Sequence, residues 1–78
     1  MSAQTYGIHD LVAPLVYKSQ DGLFKLNEML RYQAMTFPST DVRSIELGVY
    51  VNQISAAIFL LDKLLYSKLL SPVVTQEP

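Results

Sequence analysis

Apolar positions recur along this chain at alternating steps of three and four residues in two long segments, which is the spacing of one face of an α-helix. In the first segment Val16, Ser19, Leu23, Leu26, Leu30 and Gln33 follow that spacing, with Val12, Leu15 and Met29 beside them. Lys18, Asp21, Lys25, Glu28 and Arg31 fall largely off this line and read as a solvated face. In the second segment Leu47, Val51, Ile54, Ile58, Leu61 and Leu65 form a nearly straight seam, reinforced by Ala57, Leu64 and Leu69. Between the segments, Thr36-Phe37-Pro38-Ser39-Thr40-Asp41 is the only interior cluster of turn and cap residues.

The pattern predicts an all-α, antiparallel two-helix hairpin in a single domain: arm one over about 10–35, a turn over about 35–41, arm two over about 40–70 and a flexible tail over 71–78. Asp10 is the expected cap of the first arm, with Pro14 near its first turn. Ser39 or Thr40 is the expected cap of the second, with Asp41 in the first turn where the helix dipole favours a negative charge. Asp21 and Lys25 are placed as an i,i+4 ion pair. Gly22, beside Ser19, either marks close approach of another backbone or is simply tolerated at a cost in helix propensity.

At about 100° per residue, Ile45, Val49, Ala56 and Leu60 gather on the side of the second helix opposite its seam, with Val42 and Phe59 at the margins. A two-helix hairpin covers one side of each helix only. Ile45, Val49, Ala56, Phe59 and Leu60 are therefore the candidate partner-binding residues. Composition sharpens this expectation. The chain has 78 residues, of which 50% are hydrophobic and 17% charged. It is too apolar for a disordered tail, yet too short to bury a large core unaided. Such small domains need a disulfide, a metal or a partner chain. There is no cysteine and one histidine, His9, so a partner is the staple left.

The net charge is −1, and the basic residues Lys18, Lys25, Arg31, Arg43, Lys63 and Lys68 are scattered, whereas a nucleic-acid binder needs a basic stripe. Met1 to Tyr6 is polar, so no cleaved export signal is expected. The longest stretch without a charge, Leu47 to Leu61, contains Asn52, Gln53 and Ser55 and falls short of a membrane span, so it reads as a buried helix of a soluble protein. No catalytic, metal or cofactor site is expected. His9 and Asp10 adjoin near a helix end, Ser19, Ser44, Ser55, Ser67 and Ser71 lack an activating base at a suitable spacing, and the acids Asp10, Asp21, Glu28, Asp41, Glu46, Asp62 and Glu77 are spread along both arms. Tyr6, Tyr17, Tyr32, Tyr50 and Tyr66 suit either the rim of an interface or ordinary amphipathic edges.

The length, the early apolar arm around His9-Asp10-Leu11-Val12, the second arm ending Ile58-Phe59-Leu60-Leu61-Asp62-Lys63-Leu64-Leu65-Tyr66 and the tail Pro72-Val73-Val74-Thr75-Gln76-Glu77 together resemble the small helical-hairpin co-chaperones of bacterial type III secretion. That resemblance implies a non-enzymatic partner of a helical-repeat chaperone, the two together holding the aggregation-prone needle subunit in the cytoplasm. Needle and inner-rod subunits of the same apparatus are also short hairpins with a proline near the turn, but their asparagine-proline turn is Phe37-Pro38 here. A third expectation is a small regulator or adaptor that homodimerises into a four-helix bundle.

Overall fold

The computed structural model describes residues 7–70. Helix α1 spans Ile8–Met35, helix α2 spans Val42–Tyr66, and a single 3₁₀ turn, Lys68–Leu70, follows. The two helices pack on each other, and there is no strand among the described residues, so the fold is the all-α hairpin that the periodicity predicts. The tail at 71–78 and Tyr6 lie outside the described residues.

The helix ends differ from expectation in instructive ways. Helix α1 begins at Ile8 behind Gly7, which offers no side-chain cap, and Asp10 stands in the first turn as a favourable negative charge instead of capping. Pro14 is consequently the seventh helical residue. Lacking an N–H, it leaves the Asp10 carbonyl without its usual donor four residues on. At the other end Thr36 closes the helix, its Oγ1 donating to the Gln33 carbonyl at 2.6 Å. Helix α2 is capped by Asp41, not by Ser39 or Thr40: the Asp41 Oδ1 accepts the Arg43 backbone N–H at 2.8 Å. The same carboxylate receives the Arg43 guanidinium at 3.1 and 2.7 Å, and that guanidinium lies 4.3 Å from the centre of the Phe37 ring. The turn is thus clasped by an aromatic residue from before Pro38 and an ion pair from after it. Helix α2 stops at Tyr66, short of residue 70, because Ser67 is extended and turns its hydroxyl back to the Leu64 carbonyl at 2.8 Å.

On α2 the seam is the expected one: Val51 and Leu65 are buried, and Leu47, Ile54, Ile58 and Leu61 are half-buried. Leu69 is exposed and does not reinforce it. On α1 the buried line is turned by one residue from the expected face. It runs through Val16, Gln20, Leu23, Asn27, Leu30 and Ala34, while Leu15, Ser19, Leu26, Met29 and Gln33 face solvent. This rotation lets Gln20 and Asn27 both reach α2 and hydrogen-bond to it. The apolar core is small, consisting of Val16, Val51 and Leu65. Gly22 is exposed, and a Cβ built there meets nothing within 4 Å, so it marks no close approach within the hairpin.

Candidate functional site

The sequence directs attention to the side of α2 turned away from α1, and the packing of α2 leaves that side uncovered. Val42, Ile45, Val49, Phe59 and Leu60 are all at least half exposed, and Ala56 is exposed with them. These residues lie along one stripe because the seam claims Leu47, Val51, Ile54 and Ile58 on the other side of the same cylinder. The stripe has charged ends. Near its start, Arg43 is held against Asp41, and near its end the Lys63 ammonium sits 5.5 Å from the centre of the Phe59 ring. Between them the stripe carries no charged residue of its own. The exposed stripe continues past Leu60 into a recess of roughly 460 Å³ lined by Leu60, Leu61, Lys63, Leu64, Ser67 and Leu69.

Helix α1 contributes a second apolar exposure that the expected face had assigned to the interior: Leu15 and Met29 are more than half exposed and Leu26 is 44% exposed, and Leu11, outside that face, is exposed with them. Its outward charges include the expected Lys25–Asp21 pair, 3.0 Å apart. Both partners are largely in water, so the pair contributes at most a few tenths of a kcal/mol. Tyr17, Tyr32, Tyr50 and Tyr66 are all exposed.

The reading of Leu47 to Leu61 as part of a buried helix needs correction. Within this chain only 6% of the apolar 18-residue window of α2 is buried, and the helix is long and apolar enough by length and composition to cross a membrane. Hydropathy by itself does not distinguish a membrane span from a helix covered by protein. The polar residues Arg43, Glu46 and Gln53 occupy only a narrow flank of α2, and among the described residues nothing covers its outer apolar stripe.

Electrostatics at the turn are local. Asp41 accepts hydrogen bonds from the Arg43 side chain first and from the Arg43 backbone N–H second, and these hold its carboxyl below the usual carboxylate range. Among the described residues no group of three or more acidic or imidazole side chains converges as a metal site would require.

Sequence reasoning missed the two polar side chains of the seam. Asn27 is 4% exposed; its Nδ2 donates to the Val51 carbonyl at 3.2 Å and to Ser55 Oγ at 2.9 Å, while its Oδ1 has no partner. A buried orphan acceptor costs about 1–3 kcal/mol. Gln20 Nε2 donates to the Ile58 carbonyl at 3.0 Å and to Asp62 Oδ1 at 3.1 Å. The signal was available in the spacing: Gln20, Leu23, Asn27, Leu30 and Ala34 keep steps of three and four as faithfully as the apolar line beside them.

No protein-family model, curated protein or solved structure matches the chain.

Proposed function

We propose that this hairpin is a non-enzymatic protein-interaction module that offers the outer stripe of α2 to another protein. In the setting that the secretion resemblance implies, it acts in the cytoplasm as a co-chaperone, joining a helical-repeat chaperone to keep the needle subunit soluble. One observation carries the reading: α2 is apolar on both sides while the described residues supply one other long helix, and Val42, Ile45, Val49, Ala56 and Leu60 are exposed. Exposed apolar area of this continuity marks an interface in a soluble protein.

The test is to measure the mass of the native protein in solution, alone and mixed with a helical-repeat chaperone and a needle subunit. A discrete complex containing one copy of each supports the reading. Val49→Asp and Leu60→Asp should abolish that complex while circular dichroism still reports the hairpin, because a buried unpaired charge costs several kcal/mol on association. Ile58→Asp is the control that should damage the hairpin itself. Long polymers formed by the chain alone would favour a needle-like or inner-rod subunit, a lone dimer would favour the adaptor reading, and partitioning into lipid vesicles would overturn the soluble-module reading.

A further inference from the structure

Helix α2 has apolar residues on opposite sides, and hydrophobicity therefore gives α1 little reason to prefer one of them. A half-turn of α2 about its axis would exchange Val51, Ile54 and Ile58 for Val49, Ala56 and Leu60. Something other than apolar area has to select the seam. Two amides reach across it in the same way. Gln20 gives one hydrogen to the carbonyl of Ile58 and the other to the side chain of Asp62, four residues further on. Asn27 gives one to the carbonyl of Val51 and the other to the side chain of Ser55, again four residues further on.

The second clamp is the first displaced by seven residues on each helix, from 20 to 27 on α1, and from 58 to 51 and 62 to 55 on α2. Such a repeat fits an antiparallel pair whose contacts recur every two helical turns. The amide orientations follow from the partners, because the two backbone carbonyls and the Asp62 carboxylate oxygen only accept. The acceptors are also selective for orientation. Helix carbonyls are shielded by neighbouring side chains, and Ser55 and Asp62 sit on the seam side of α2; on the far side the place of Asp62 falls to Leu60 and Leu64, which offer Gln20 no side-chain acceptor, and only Asn52 and Gln53 lie near the place of Ser55.

We infer that Gln20 and Asn27 are rotational keys: they determine which of the two apolar sides of α2 is turned inward, and hence which is left for a partner. The orphaned Asn27 Oδ1 belongs to this role, since an apolar residue at 27 would pack without that penalty but would not discriminate between the sides. The keys specify orientation at some expense in stability. The first half of this inference concerns the hairpin alone; the second, that the keys present the docking stripe, rests on the function proposed above.

The chain has no cysteine, so a single introduced thiol reports its own burial without interference. Val51 is 6% exposed and Val49 50%, so the thiol of Val49→Cys should react with a maleimide faster than that of Val51→Cys by about tenfold or more. In a Gln20→Leu/Asn27→Leu background the ratio should collapse toward unity, with helicity retained and the thermal midpoint unchanged or raised. A ratio that stays intact in that background overturns the inference, as does a midpoint that falls while the ratio holds, since the amides would then be ordinary stabilising contacts. If the leucine variant associates, Ser55→Ala/Asp62→Ala decides instead, because it removes only the two side-chain acceptors: a lowered ratio supports the keys and an unchanged one overturns them. Should the ratio collapse while chaperone and needle subunit still bind the leucine variant as before, the keys stand and the docking stripe on α2 fails.

Discussion

Helices α1 and α2 are nearly equal in length, yet they solve the problem of facing water differently. Helix α1 has a mixed outer surface, with Lys18, Asp21, Lys25, Glu28 and Arg31 interrupting its exposed leucines, and it places two amides in its seam. Helix α2 keeps its seam residues apolar, with Ser55 and Asp62 as the exceptions that answer the amides, and its far side is again mostly apolar, interrupted by Asn52. The contrast teaches that polarity is distributed by task. Helix α1 carries most of the outward charge and both amides of the seam, and α2 carries most of the exposed apolar stripe.

The comparison is most severely tested by two leucines of α2 that differ only in direction. Leu65 is 6% exposed and Leu60 64%. Leu65→Ala should cost about 2–5 kcal/mol in urea unfolding, whereas Leu60→Ala should stay within about 0.5 kcal/mol for the hairpin by itself. Equal losses would mean that α2 does not have a distinct inner and outer side. A smaller effect compares glycines, one on each helix. A Cβ at Gly22 or at Gly48 meets nothing within 4 Å, so Gly22→Ala and Gly48→Ala should each raise stability by about 0.8–1 kcal/mol through helix propensity. A shortfall at one of them in thermal melts would reveal packing against that helix in solution. The smallest expected effect lies between the helices. Asp41 has a depressed pKa in the folded chain, so its contribution is present above the carboxylate pKa of the unfolded chain, about 3.9, and is lost as pH falls through the lower folded value. Asp41→Asn should remove this acid-side loss, read as a flatter dependence of the thermal midpoint on pH below about 4.

The hairpin, its turn around Pro38 and the α2 seam were legible because each rests on strong local signals: long three-four periodicity and a proline between two such runs. The first arm was legible as a helix but not in its rotation. Its apolar line through Val16, Leu23, Leu26 and Leu30 and its true seam through Val16, Gln20, Leu23, Asn27 and Leu30 share three residues, and choosing between them requires knowing that α2 holds acceptors opposite the amides. Hydrophobic patterning treats a buried amide as a surface residue, so it turned the helix slightly too far. The caps were misread for a related reason. Ser39, Thr40 and Asp41 are all competent, and Arg43 tips the choice by binding the Asp41 carboxylate from within the first turn of α2. The candidate docking stripe followed from counting faces against helices. Its orientation in the folded chain depends on the amides that the counting ignored.

The clasped turn has a consequence for how the chain reaches this state. Phe37, Arg43 and Asp41 close the connection using residues no more than six apart, and every further pairing, from Ala34 with the start of α2 out to Val16 with its end, spans progressively more chain. Each loop closed outward from the turn costs little extra entropy once the previous one is in place. The hairpin is therefore built to zip from Pro38 toward its open ends, with the Asn27 clamp engaging before the Gln20 clamp. Low contact order of this kind belongs to the fast end of folding rates, in the microsecond to millisecond range. The orientation of α2 is then chosen early, while the apolar stripe that a wrong choice would have hidden is still short.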